Sequence, residues 1–227
     1  MEFQFRWDFV IDILPRLVKA AGVTIQLTVI SITLGIAIGL VISLMRMSGR
    51  RPLKWFAVAY VEFLRGTPLL VQIMIIHTAI PVMLGYSPIA FISAIIALGV
   101  NSGAYVAEIF RAGIQAVDRG QMEAARSLGM TWGQAMQYVV LPQAFKISIP
   151  PLGNEFIALL KDSSLVLIIG VLELMGQGRL IIGARPRPVE TWFAVALLYL
   201  VMTRSISMLV NYAERRLKTG DRSERPV

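Results

Sequence analysis

The chain has 227 residues, of which 56% are hydrophobic and only 16% charged, and its mean hydropathy of +0.67 excludes an ordinary water-soluble domain. Lys and Arg number 22 against 14 Asp and Glu, a net charge of +8, yet the basic residues fall between long uncharged runs, which argues for membrane topology and against nucleic acid as a partner. Cysteine is absent and His77 is the one histidine, so disulfide scaffolds, thiolate metal sites, cysteine nucleophiles and imidazole clusters are excluded.

In chain order, Met1 to Arg6 lack the basic stretch and small-residue cleavage site of a secretory signal, so the first span is expected to be retained. Residues 1–19 form an outer-face segment. Phe9, Ile13 and Leu17 recur at four-residue spacing beside Val10, Leu14 and Val18. That pattern suits either an amphipathic helix over residues 8–20 lying on the outer interface or an extension of the first span. Residues 20–214 are the membrane domain. Ala20 to Met45 are 26 residues without a charge, longer at about 1.5 Å per residue than a hydrocarbon core of about 30 Å. From Gly66 to Ala107 the chain runs 42 residues with only His77 ionisable, and Pro81, Gly85, Tyr86, Ser87 and Pro88 supply a turn that divides it into two spans. A fourth span follows Pro150 and Pro151 and reaches about Leu172; a fifth runs from about Val189 to Tyr212. The fold class is therefore an all-α integral membrane protein with about five transmembrane helices.

Basic residues choose the orientation, because short cytoplasmic loops carry the Lys/Arg excess. Arg46, Arg50, Arg51 and Lys54 follow span one, Arg111, Arg119, Arg126 and Lys146 lie between spans three and four, and Arg215, Arg216, Lys218, Arg222 and Arg225 occupy a basic tail over residues 215–227. All thirteen sit on one side. The N-terminus is predicted outside and the C-terminus in the cytoplasm.

Residues 118–142 are too polar to span and too regular to be a plain loop. Gly120 to Leu128 suits a short helix of good formers, ended by Gly129 in a left-handed conformation. Thr131 and Gln134 have capping-box spacing, which starts a second helix running to Leu141 and stopped by Pro142.

Moving a charge to the bilayer centre costs about 2.5–3.5 kcal/mol, so intramembrane charges face protein or a water-filled interior. With span four starting near Pro151, Asp162 lies about 16 Å along the helix axis. Glu155 and Asp162 are seven residues apart and share a face, while Asn154 and Lys161 share a neighbouring one. Two acceptors beside an amide and an ammonium suit a zwitterion, and the carboxylate excess leans weakly towards a basic amino acid such as arginine, histidine or lysine. The opposing reading is that Lys161 and Asp162 pair to fix helix packing. At Arg65-Gly66-Thr67-Pro68 a broken helix would expose amides to a substrate carboxylate, with Thr67 and Gln72 beside it; equally, Arg65 snorkels to the interface and pairs with Glu62. Asn101 and Glu108 give span three a polar face that either lines the path or joins helices. His77 reads as a packed or interfacial residue.

Glu123-Ala124-Ala125, then Gly129, Val139 and Leu141-Pro142 at their spacing, resemble the EAA loop of permease subunits of ATP-binding-cassette importers, with Val139 where the family usually has Ile. Arg65 to Gln72, Asn101 to Tyr105, Glu108 to Ile114 and Asn154 to Leu165 resemble its polar-amino-acid branch, so that the resemblance covers roughly Thr24 to Tyr212. It implies the type I importer permease fold of the histidine/glutamine/arginine permease family, in a bacterial cytoplasmic (inner) membrane. Under it, Glu123, Ala124, Ala125, Ser127, Leu128 and Gly129 form a coupling helix that docks on a separate ATPase. Thr67, Gln72, Asn101, Asn154, Glu155, Lys161 and Asp162 become the expected substrate path. The implied partners are two cytoplasmic ABC ATPase subunits, a second permease subunit (the same chain or a relative), an extracytoplasmic amino-acid-binding protein and membrane lipid. No cofactor is expected on this chain. ATP and Mg belong to the ATPase partner, because no Gly-x-x-x-x-Gly-Lys-Ser/Thr phosphate loop occurs here, and the chain is expected to be a non-catalytic transport subunit. The rival readings from the residues are an ion-coupled transporter or channel using Glu108, Glu155 or Asp162, and a membrane scaffold that docks a partner without flux.

Overall fold

A computed structural model describes residues 4–218; the part of the basic tail beyond residue 218 lies outside them. Eight helical elements follow one another: α1 (Trp7–Met47), α2 (Arg51–Gly66), α3 (Leu69–Leu84), α4 (Ala90–Gln115), α5 (Arg119–Ser127), α6 (Trp132–Ile169), α7 (Leu174–Ala184) and α8 (Pro188–Lys218). α1, α4 and α8 are each long and apolar enough to cross a membrane. Two bent pairs, α2 with α3 at 107° and α6 with α7 at 47°, raise the number of candidate spans to five. The architecture is thus the all-α, five-span arrangement that the uncharged runs require.

α1 is one unbroken helix of 41 residues, so residues 8–20 extend the first span and do not form a separate helix. At about 1.5 Å per residue it is about 60 Å long, twice the hydrocarbon thickness. Its length lets it serve three apolar clusters in turn. Phe9, Ile13 and Leu17 pack with Leu160, Leu174 and Val195 of α6, α7 and α8. Leu27 and Ile32 meet Ile73, Leu98, Leu159 and Val166. Ile42 packs with Ala57, Val61 and Leu64 of α2 and with Ala104 and Ala107 of α4.

The α1–α4 seam is closely packed. A Cβ on Gly39 would lie 2.6 Å from Val106 Cγ1 and 2.9 Å from the Ala107 amide nitrogen, and one on Gly103 would lie 2.8 Å from Ile38 Cγ2. Lipid tails give apolar helices no hydrophobic reason to associate, so close backbone approach at small residues supplies the attraction. Where the seam ends, Glu108 pairs with Arg46 of α1 and with Arg111, at 2.8 Å, on its own helix. At the opposite end of the membrane domain, Asp12 on α1 accepts from Arg185 at 2.6 Å and Glu190 on α8 accepts from the Arg6 amide at 3.3 Å.

Pro142 does not stop the second loop helix, contrary to the reading of the sequence. The chain remains helical from Trp132 through Pro142, Pro150 and Pro151 to Asp162, so the fourth span is the continuation of a helix that starts in the polar loop. Proline normally breaks a helix because it lacks an N–H and its ring strikes the carbonyl four residues back. Here Met136–Val140 form a π-helical turn in which Leu141 N–H reaches back five residues to Met136 O, immediately before the proline. The side chain of Gln143 also donates to Val139 O at 2.9 Å. The same device occurs in α3, where Ile75–Ala79 are π-helical and Ile80 N–H bonds Ile75 O just before Pro81. His77 sits half-buried in that turn.

Candidate functional site

The polar loop is built by local chemistry. Asp118 Oδ1 accepts the Gly120 amide at 2.7 Å and starts α5. At its end the Gly129 amide bonds Arg126 O at 3.0 Å and the Met130 amide bonds Ala125 O at 3.2 Å, the paired pattern of a Schellman cap. Gly129 takes φ +89°, a left-handed backbone that a side chain would strain. Two residues on, Thr131 Oγ1 accepts the Gln134 amide at 3.3 Å while Gln134 Oε1 accepts the Thr131 amide at 2.9 Å, the capping box expected from the spacing.

This helical hairpin is anchored on its inner side and bare on its outer side. Val117, Val140 and Ala144 pack with Ile114, Met122 and Met136 beneath it. Ala125, 4% exposed, faces this anchor and not the outside. Glu123, Ala124, Ser127 and Gly129 are exposed, and Leu128 is 83% exposed beside an exposed Trp132. Of the six residues expected to meet a partner, five therefore face outward and one holds the hairpin to its own chain.

Thr67, Gln72 and Asn101 are brought together, but as a brace. The sharp bend between α2 and α3 strips carbonyls of their helical donors. Gln72 Nε2 donates to Leu64 O at 2.8 Å, Thr67 O at 3.1 Å and Thr67 Oγ1 at 2.9 Å. Its Oε1 accepts from Asn101 Nδ2 of α4 at 2.9 Å. Gln72 is only 4% exposed and Asn101 6%. This bond joins α4 to α3, the link between helices that was one of the two roles open to Asn101. The expected pairing of Arg65 with Glu62 is corrected too: the Arg65 guanidinium lies 5.2 Å over the ring of Tyr105.

Asn154, Lys161 and Asp162 remain exposed on α6, on a surface that no other element of the described chain covers. Glu155 is half-buried and accepts from Ser102 Oγ of α4 at 2.7 Å, a tie that helical spacing within α6 alone does not show. No hydrogen bond among the described residues joins these four to the Thr67–Gln72–Asn101 brace.

Glu173, which sequence reasoning passed over as the end of an apolar run, is fully buried. Its carboxyl caps α7 by accepting the amides of Met175 at 2.9 Å and Gly176 at 2.7 Å. Tyr199 of α8 donates to it at 3.0 Å and Thr24 of α1 at 3.5 Å, while Thr24 Oγ1 accepts the Leu174 amide at 3.0 Å. Three spans converge on one carboxyl at the bend between α6 and α7. Gly170, with φ +85°, followed three residues later by a lone acid was the available signal of a turn and a helix cap.

Residues 21–219 match the family described as binding-protein-dependent transport system inner membrane component. The chain is 38% identical over 216 residues to the glutamine transport system permease protein GlnP of Escherichia coli (strain K12), covering 95% of this chain and 99% of that protein. It is 38% identical over 208 residues to the arginine transport system permease protein ArtQ of Bacillus subtilis (strain 168), covering 92% and 95% respectively. The crystal structure of an amino acid ABC transporter with histidines superposes with a TM-score of 0.90 at 44% identity, over 94% of this chain and 100% of that one. With a five-span bundle, a capped loop hairpin and relatives matched along nearly their whole length, the chain belongs to the binding-protein-dependent inner membrane components, as a permease subunit of amino-acid ABC importers of type I fold.

Proposed function

We propose that this permease moves polar amino acids inward through a path lined by Asn154, Glu155, Lys161 and Asp162, driven by ATP hydrolysis on separate cytoplasmic subunits. Two ATPase subunits, holding ATP and Mg, receive the exposed side of the 118–142 hairpin, chiefly Glu123, Ala124, Ser127, Leu128 and Gly129. An extracytoplasmic binding protein delivers the amino acid, and a second permease subunit covers the charged face of α6. The N-terminus is outside and the C-terminus cytoplasmic, following the basic residues. The observation that carries this reading is the asymmetry of the hairpin. Its inner side is packed and its outer side presents a nearly bare Leu128 on a rigid double-capped turn, suited to transmitting a push from outside the chain.

Charges that no described element covers cannot face lipid at low cost, which supports a role for Lys161 and Asp162 in a path or against a second subunit. Relatives named for glutamine, for arginine and for glutamate/aspartate all match this chain, which supports polar amino acids as the substrate class, and only the carboxylate surplus on α6 supports a basic one. Proteoliposomes containing this chain, its ATPase and its delivery protein test the reading. Uptake must need ATP and the delivery protein, and Gly129→Val must abolish it while leaving membrane insertion intact. Uptake driven by an ion gradient alone, or unchanged by Gly129→Val, overturns it.

A further inference from the structure

At the loop end of the membrane domain Glu108 pairs with Arg46 and Arg111, and Arg65 rests over the Tyr105 ring. Arg51 and Lys54 on α2 are exposed and enter none of the ion pairs found among the described residues. Together with Trp55, Val58, Ala59 and Glu62 they lie at helical spacing along one face of α2, where they line a trough of about 620 Å³. Val58 and Ala59 are the small side chains of the set and leave the space. Arg51, Lys54 and Trp55 stand at one end and Glu62 at the other, about 12 Å from Lys54 along the helix axis. A different face of α2, with Ala57, Val61 and Leu64, packs on α1 and α4. The outward side carries three aromatic rings: Trp55 is 78% exposed, and Phe56 and Phe63 are exposed beside the trough. α2 also leaves α3 at 107°, and a helix at that angle to an upright span runs near the membrane plane.

We infer that this face of α2 is a binding site for an anionic phospholipid of the leaflet at the loop end, whose phosphate is taken by Arg51 and Lys54. Trp55 and Val58 then pack against its glycerol backbone and the upper part of its acyl chains. Bare aromatic rings beside unpaired cations are costly in water but suit a membrane interface. There the indole ring sits at headgroup level, and the apolar stems of Arg and Lys lie along hydrocarbon while their heads reach the phosphates. The guanidinium fork matches a phosphate, and the ammonium adds a point charge. Charge chooses the occupant: two cations face one carboxylate in the trough, and the surplus is positive at the depth where lipid headgroups supply the anions. Glu62 repels a second anion at the far end, so the trough takes one headgroup. The site lies apart from Asn154, Glu155, Lys161 and Asp162, and it does not depend on which substrate the transporter carries.

The test uses the complete transporter, permease with its ATPase, reconstituted in phosphatidylcholine bilayers. Rising shares of that lipid are replaced by phosphatidylglycerol or by phosphatidylcholine carrying brominated acyl chains, which quench tryptophan fluorescence on contact. The signal of Trp55 is the difference between the complex and its Trp55→Phe variant, so that every other tryptophan cancels. Brominated phosphatidylglycerol is expected to half-quench Trp55 at a share at least about fivefold lower than brominated phosphatidylcholine, the scale of one cation at a membrane surface. With the same subtraction, Arg51→Gln combined with Lys54→Gln is expected to remove the difference between the two lipids, and Arg51→Lys combined with Lys54→Arg to keep it. Equal quenching by both lipids in the unaltered complex overturns the site, as does a preference that survives removal of both cations. Absence of quenching by either lipid overturns it as well, because protein and not lipid then covers this face. If the doubly neutralised variant fails to assemble, Arg51→Gln and Lys54→Gln decide singly: each is expected to lose part of the preference, and full preference in both overturns the site.

Discussion

Thr67, Gln72 and Asn101 at the α2–α3 bend turn their polar groups into the protein, where each meets a partner, whereas Asn154, Lys161 and Asp162 on α6 turn theirs outward. Both sets lie in spans of comparable polarity, and the sequence pattern assigned both to the same path. The difference shows that a polar side chain in a membrane helix has two distinct uses. It repairs a break in the backbone ladder, or it is kept available for something that is not part of the chain. Hydrogen-bond satisfaction distinguishes the two, and helical spacing does not.

Substitutions can break or sharpen this contrast. The largest effect is expected at the most fully used group: Glu173→Ala leaves two amides and the Tyr199 hydroxyl facing a void, a loss of about 3 kcal/mol or more. Thermal unfolding of the purified complex reads this as a markedly lower midpoint or no recoverable complex. Gln72→Leu is expected to cost about 2 kcal/mol, because it removes the only side-chain donor to Thr67 O, takes one of two donors from Leu64 O and leaves Asn101 Nδ2 only its longer bond to Leu64 O at 3.5 Å. A variant that unfolds normally yet loses substrate affinity would return Gln72 to the path. Gly129→Ala is expected to cost about 1 kcal/mol through its left-handed backbone, with ATP-coupled uptake falling further than the midpoint shift explains. Asp162→Asn is expected to shift stability least, within about 0.5 kcal/mol, since the side chain is exposed, while reducing uptake at least tenfold. A large drop in its unfolding midpoint with normal uptake would make Asp162 a packing residue and erase the contrast.

Legibility in the sequence followed the range of the interactions. The number of spans, the Thr131–Gln134 capping box and the left-handed Gly129 were readable because each depends on residues within a few positions of one another. Pro142 misled because its usual consequence was cancelled by a π-helical turn, which has no sequence signature of its own. The orientation of Ala125 towards Val117, Val140 and Ala144 was hidden because small size suits an interface with either another protein or the same chain. The ties of Glu173 to Tyr199 and Thr24 and of Ser102 to Glu155 were invisible because the partners are 26 to 149 and 53 residues away, although the local cap of Glu173 on α7 was not.

The π-helical turn at Met136–Val140 also has a mechanical consequence. It lies between the loop hairpin and the long stretch of α6 that bears Glu155 and Asp162, and it is followed by a residue that can contribute no rung to the ladder. A rod with one mis-stepped and one missing rung is softened there, as it is again at Pro150 and Pro151 higher up. A force applied beneath the charged face would therefore be taken up at these joints more than in the regular turns between them.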